Sequence, residues 1–256
     1  MKVRTERRDD LFLVTITRPE LRNCIDRETA AGLAEAFRLF DSDDSLRVAI
    51  LQGEGGCFCA GADLKEASGG SPNANRVGVA GDGPMGPTRM LLSKPVIAAV
   101  EGHAVAGGLE LAIWCDLRVA ARDAVFGVYC RRWGVPLIDG GTVRLPRLIG
   151  QSRAMDMILT GRGVSGDEAL AFGLANRLVE PGQALAEALE IARTLADFPQ
   201  RCLRADRLSA LTQWGEDLDD ALRAEAARGI EVVRSGETHE GATRFAQGAG
   251  RHGRFD

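Results

Sequence analysis

Two carboxylates and two glycine turns are the residues most able to do chemistry together. Glu110 lies three residues after Gly107 in VAGGLEL (105–111), and Asp139 lies between the apolar run VPLI (135–138) and Gly140-Gly141. An acid that follows an apolar run either sits at a surface turn or is buried at a cost. A desolvated carboxylate has a raised pKa, which suits it to carry a proton near neutral pH. From its flanks alone Asp139 is therefore either a surface-turn acid, such as the N-cap of a helix over 140–149, or a buried one. Glu110 reads either as a base beside the N–H groups of its own turn or as an acid complementing a helix dipole. The turns CAGADLK (59–65) and VAGGLEL each follow an apolar strand and open a helix. Facing one another, their unpaired N–H groups would form a two-donor oxyanion hole. Taken singly, each is also what tight packing requires. Neither is a phosphate loop: no G-x-x-x-x-G-K-[ST] occurs, and GEGG (53–56) is not G-x-G-x-x-G.

The other reactive side chains group less well. The six cysteines, Cys24, Cys57, Cys59, Cys115, Cys130 and Cys202, show no C-x-x-C spacing, and free thiols in a reducing cytosol are expected. CFC (57–59) is too tight for a usual zinc pair, and His103, His239 and His252 have no ligand spacing, so no metal site is expected. His103 is expected to be a hydrogen-bonded structural histidine. Tyr129 and Trp133 are expected to line a pocket or pack in a core.

Composition excludes several classes of partner. The formal net charge is −4 and the pI about 5.6, giving no electrostatic reason to expect nucleic acid or an anionic membrane. Lysine occurs only at Lys2, Lys65 and Lys94, so basic charge is almost all arginine. No apolar run follows Met1 and none reaches 18 residues, so neither a signal peptide nor a membrane span is expected.

The elements that must position these groups alternate between strand and helix. LFLVTIT (11–17), RVAILQG (47–53), KPVIAAVEG (94–102), LRVAA (117–121) and AVFGV (124–128) read as strands. Asp26 reads as the N-cap of a helix whose apolar positions are Ala30, Leu33, Ala34, Phe37 and Phe40. Residues 69–87 hold six glycines and three prolines and read as a loop, either a mobile lid or plain disorder. Beyond residue 140 the pattern is almost wholly helical, over 140–149, 151–160, 165–172, 183–198, 200–213 and 216–234. This predicts an α/β fold with a helical appendage.

FCAGADLKE, AVEGHAVAGGLELAIWCDLRVAA and GGTVRLPRLIGQSRAMDMILTGRGVSGDEALAFGLANRLVEP, in that order, resemble the enoyl-CoA hydratase/isomerase (crotonase) family. TRPELRNCID and HEGATRFAQG extend the resemblance to both ends of the chain. The resemblance implies a crotonase-type spiral of ββα turns over 1–198 and a helical C-terminal oligomerisation region over 199–256. It implies a homotrimer or dimer of trimers and an acyl-CoA thioester as partner; the unpaired cysteines and polar start add the expectation of a cytoplasmic setting. No cofactor is implied, since coenzyme A belongs to the substrate. By motif match the thioester oxygen is held by the backbone N–H groups of Ala62 and Gly107. Coenzyme A is expected along Arg22 and the segment Ala60, Asp63, Leu64 and Lys65. Cys130 and Trp133 are expected beside the substrate, and Phe245 is expected to help close the site.

Glu110 matches the first of the two glutamates that share the catalytic water in the family's hydratases. The second position carries Cys130, and a thiol does not replace a carboxylate as acid or base without a strong pKa shift. LIDGG (137–141) resembles the loop that brings an aspartate to the substrate in dienoyl-CoA isomerases and naphthoate synthase. Asp139 is therefore expected to be the second carboxylate. Hydration of a 2-enoyl-CoA is the leading expectation. Enoyl- or dienoyl-CoA isomerisation and non-catalytic acyl-CoA binding are the alternatives.

Overall fold

The computed structural model describes residues 1–250 and divides into two units, Met1–Leu195 and Ala196–Asp256. In the first unit the apolar runs become strands of a six-stranded sheet. The chain opens with β1 (Val3–Arg8), turns through Asp9 in the left-handed region (φ 56°), and returns as β2 (Leu11–Ile16). The expected strands follow as β3 (Val48–Gly53), β4 (Val96–Val100) and β6 (Leu117–Ala121). Sheet order is β1-β2-β3-β4-β6-β9, with β9 at Arg177–Val179 and β1 alone antiparallel to its neighbour. LFLVTI and VIAAV are buried throughout, as parallel strands covered on both faces must be. β1 carried no sequence signal because VRTERR is nearly all exposed; it is held by backbone bonds, and its charges suit an edge strand.

The first helix, α1 (Arg27–Ser42), follows from its cap and its apolar stripe. Asp26 Oδ1 accepts from Thr29 N at 2.8 Å, and Leu33, Phe37 and Phe40 are completely buried. Truncating a buried phenylalanine of this kind costs about 3–5 kcal/mol. The remaining turns repeat one plan. β3 leads through Cys59 to α2 (Leu64–Ser68); β4 leads through β5 (His103–Val105) to α3 (Gly107–Trp114); β6 leads to β7 (Val125–Gly127) and a 3-10 turn, Tyr129–Trp133. The second members of these turns stack in parallel, by single bridges Ile25–Ala62 and Cys59–Ala104 and by the pairing of β5 with β7. A spiral of ββα turns is the expected architecture, and this stacking brings the two glycine turns side by side.

Next come α4 (Gly141–Ile149), α5 (Gln151–Thr160), α6 (Gly166–Phe172) and α7 (Ala184–Asp197). To the almost wholly helical pattern expected beyond residue 140 the structure adds β8 (Gly163–Ser165), antiparallel to β7, and β9. Three-residue strands are too short to show a period. Residues 69–86 are irregular, as read, but tied down. Arg27 N donates to Asn73 O (2.9 Å), Asn75 Nδ2 to Pro84 O (2.9 Å), and Arg89 to Gly78 O (2.7 Å); Arg38 pairs with Asp82.

The second unit contains α8 (Gln200–Thr212), α9 (Leu218–Arg234) and α10 (Glu237–Ala246). Glu237 accepts from the N–H groups of Arg201 and Cys202 (3.1 and 2.8 Å), closing the start of α8. These helices bury no residue, and Leu218, Val233 and Phe245 stand exposed. Residues 251–256, including His252, lie outside the described residues.

Candidate active site

Glu110 sits in the first turn of α3, yet its carboxylate serves another helix. Oε1 accepts from Gly141 N at 2.8 Å and from Asp139 N at 2.9 Å, so it caps the N-terminus of α4. The N-cap position of α4, Gly140, offers no side chain, which leaves that role to a carboxylate from elsewhere. A β-carbon on Gly141 would press on Glu110 Oε1 at 3.0 Å and on Leu137 Cδ1 at 3.1 Å. Glu110 is 2% exposed, and burial pushes its pKa up to about 7. The nearby Asp139 charge adds to the rise, while the Gly141 and Asp139 N–H groups oppose it.

Asp139 is 3% exposed, and its side chain does not cap α4. Its Oδ1 instead accepts from Met85 N at 3.0 Å and from the Thr88 hydroxyl. That removes the capping reading: Asp139 lies at an interior site. Burial raises its pKa, opposed by the Thr88 and Met85 bonds and by Arg89 and Arg144. Both acids line one cavity of about 520 Å³. Each commits one oxygen to the scaffold. The other oxygens, Glu110 Oε2 and Asp139 Oδ2, have no protein partner among the described residues and are not sealed from the cavity.

Ala62 and Gly107 line the same cavity. Neither N–H is taken by a protein acceptor among the described residues. The turns abut so closely that a β-carbon on Gly61 (φ 97°) would lie 3.1 Å from Gly107 N. Ala106, just before Gly107, holds φ 53° and ψ −124°, a strained conformation for alanine, and such strain gathers at functional sites.

Of the other expected site residues, Arg22, Ala60, Leu64, Cys130 and Trp133 all line the cavity. Arg22 adopts φ 50°, and its carbonyl accepts from Ala60 N at 3.0 Å, joining the two expected coenzyme A segments. Trp133 is exposed, lining the cavity and not packing in a core. Burial, and then the Glu110 charge, raises the Cys130 thiol, so its thiolate is disfavoured. Asp63 caps α2 through Lys65 N (3.2 Å) and pairs with buried Arg18 (2.9 Å), which makes it a support for the turn. Lys65 is exposed on α2, outside the cavity lining. Phe245 is exposed on α10, whereas every cavity-lining residue belongs to the first unit. His103 lines the cavity at the start of β5, and its carbonyl accepts from Cys59 N at 2.8 Å.

Sequence reading missed Met85, Thr88 and Arg144. Arg144 donates to Asp139 O (3.0 Å) and to Thr88 O (2.7 Å). Its one sequence signal is a charge one turn into α4, close behind the paired glycines. Met85 and Thr88 follow the glycine-rich loop and carry no chemical signature of their own.

Residues 6–250 match the family model described as enoyl-CoA hydratase/isomerase. The chain is 36% identical over 249 residues to the enoyl-CoA hydratase EchA19 of Mycobacterium tuberculosis, covering 94% of this chain and 92% of that protein. It is 35% identical to the mevalonyl-coenzyme A hydratase sidH of Aspergillus fumigatus, covering 93% and 88%. The crystal structure of enoyl-CoA hydratase EchA1 from Mycobacterium marinum superposes with a TM-score of 0.90 at 38% identity, covering 96% of each chain.

Proposed function

The chain belongs to the enoyl-CoA hydratase/isomerase family, and from that footing we propose that it adds water across the double bond of a 2-enoyl-CoA thioester. The carrying observation is that two buried carboxylates, each anchored through one oxygen, line a cavity with two unengaged backbone N–H groups.

In this reading the thioester oxygen accepts from Ala62 N and Gly107 N. Conjugate addition moves negative charge onto that oxygen, and donors already in place stabilise it there. Loss of one such donor in other enzymes costs about 10²–10³ in rate. Glu110 in its ionised form takes a proton from water through Oε2 as the hydroxyl adds to the β-carbon. Protonated Asp139 then gives a proton from Oδ2 to the α-carbon, on the same face. The product has gained one water, and proton transfer from Glu110 to Asp139 resets the pair. Desolvation raises both groups, Glu110 to about 7, which moves each toward the proton transfer it is assigned. Cys130 occupies the cavity wall without taking part. No cofactor enters beyond the coenzyme A of the substrate, which runs along Arg22, Ala60 and Leu64, with Lys65 at hand for a phosphate.

The homologues named for hydration favour this over double-bond isomerisation. The exposed apolar side chains of α9 and α10 support assembly into trimers or dimers of trimers, with Phe245 meeting a neighbouring copy's site. Six free cysteines fit a cytoplasmic setting, and no described helix is long and apolar enough to cross a membrane. Loss of the conjugated-enoyl absorbance of crotonyl-CoA tests the reaction. A gain of that absorbance from a 3-enoyl-CoA, without any loss from crotonyl-CoA, would instead indicate an isomerase.

A further inference from the structure

We propose that Arg144 is a positioning residue for this reaction: its guanidinium ties the carbonyls of Asp139 and Thr88 together and so fixes the Asp139 carboxylate with Oδ2 toward the cavity. The inference rests on the hydration reading for its chemistry and on geometry for its substance.

Arg144 projects from the first turns of α4 and folds back over the start of that helix. Its Nη1 donates to Asp139 O at 3.0 Å and its Nη2 to Thr88 O at 2.7 Å. The same two residues are joined a second time through their side chains, since the Thr88 hydroxyl donates to Asp139 Oδ1. Asp139 and Thr88 come from segments 51 residues apart, and Arg144 is the clamp that joins their backbones. A carboxylate held by its side chain alone can swing about its own χ angles. One whose backbone and side chain are both tied to a single partner segment keeps one oxygen inward and presents the other.

Two glycines make room for the clamp. A β-carbon on Gly140 would overlap the Arg144 guanidinium, and Gly140 also adopts φ 99°. A β-carbon on Gly83 would overlap both the Thr88 hydroxyl and Asp139 Oδ1. The backbone is thus bare at the two points where the network passes closest to it. Fixing Asp139 also fixes its N–H, one of the two that hold Glu110 Oε1. Arg144 therefore acts on both acids without lining the cavity itself.

The guanidinium also supplies charge. Glu110 on α3, Asp139, Cys115 at the end of α3 and Arg147 on α4 all act on Arg144, while Arg89 acts on Asp139 from the facing segment. Two carboxylates near a half-buried cation lose a proton more readily than they would without it. A lysine retains that charge but is a single point donor, and it does not reproduce a planar fork spanning two carbonyls.

The test compares wild type, Arg144→Met and Arg144→Lys in the full-length protein with crotonyl-CoA across pH. Arg144→Met is expected to lower kcat at least about tenfold, within the range for a misplaced acid or base. KM should change less than about threefold, since Arg144 does not line the cavity. The acid limb of kcat/KM should move to higher pH. Arg144→Lys should keep that limb near its wild-type position while kcat stays low. Wild-type kcat in folded Arg144→Met, or full recovery of kcat in Arg144→Lys, overturns the proposal; the latter assigns the role to charge alone. Carbon-13 carboxyl NMR of Asp139 reads the same contact without turnover. Its titration midpoint should rise in Arg144→Met and stay in Arg144→Lys, and an unmoved midpoint in Arg144→Met overturns the clamp. Absence of hydration by the wild type would count against the reaction assigned, and the NMR arm would still decide whether Arg144 acts on Asp139.

Discussion

The backbone N–H of Asp139 donates to Glu110 Oε1 at 2.9 Å, so the residue that brings the second acid also helps to hold the first. The two carboxylates are one unit. Both are buried, each has one oxygen engaged, and each meets the same cavity through the other.

That coupling sets how stability should vary with pH. Burial raises Glu110 from its ordinary value to about 7, so the folded state holds a proton that the unfolded state has released. Below about pH 4.5 the group is protonated in both states and contributes nothing. As pH rises from there to about 7, stability falls, and above 7 the loss is complete at roughly 3 kcal/mol. Glu110→Gln keeps an oxygen to accept from Gly141 N and removes this term. Denaturant unfolding should show a shallower decline between pH 4.5 and 7 in the variant. The residual slope comes from Asp139, which is shifted the same way. Equal slopes would contradict the burial account of Glu110.

Cys130 should be dispensable to the chemistry. Its thiol is raised by burial and by the Glu110 charge, so little thiolate is present near neutral pH. Cys130→Ala should keep kcat within about threefold and lose about 1 kcal/mol or less of stability as a small-volume change. A loss of 10²-fold in kcat would give the thiol a role that the carboxylate pair leaves no room for.

Gly107→Pro deletes one donor at the first position of α3, where no helix bond is lost, and the Met85 side chain must shift to admit the ring. Turnover of crotonyl-CoA should be abolished, with helical circular dichroism retained. A folded variant with near-normal activity would remove Gly107 from the oxyanion hole.

The loop over 69–86 is anchored at its end by the buried Met85 N–H on Asp139 and elsewhere by few bonds, and it supplies Ala74, Asn75 and Pro84 to the cavity. Its amide hydrogen exchange should slow on binding an acyl-CoA, because a filled cavity backs the segment that glycine leaves unsupported. Equal exchange with and without ligand would contradict this.

What the sequence displayed was whatever depends on near neighbours. The Asp26 cap, the stripe from Leu33 to Phe40 and the buried runs at 11–16, 48–51 and 96–100 follow from local pattern and reappear in the structure. β1 escaped notice because an edge strand held by backbone bonds needs no apolar alternation. The paired glycines marked the turns, and resemblance marked Glu110 and Asp139. The sequence did not distinguish a capping Asp139 from a buried one. That choice depends on Met85 and Thr88, more than fifty residues upstream. Nor did it show that Glu110, from α3, would cap α4: a capping bond across 31 residues leaves no local trace. Arg144 carries no signal of this role because its two acceptors are carbonyls, and carbonyls have no sequence signature.

The central claim is that Asp139 supplies the acid that Cys130 does not. Its most direct test is steady-state hydration of crotonyl-CoA by Asp139→Asn, measured beside Glu110→Gln and the double variant. Asparagine keeps the size and one acceptor for Met85 N and Thr88. Asp139→Asn should lower kcat by at least about 10²-fold with little change in acyl-CoA affinity. The double variant should be scarcely worse than either single one, since groups that act as a unit are not additive. Full turnover by Asp139→Asn would contradict the account and leave Glu110 as the only working carboxylate.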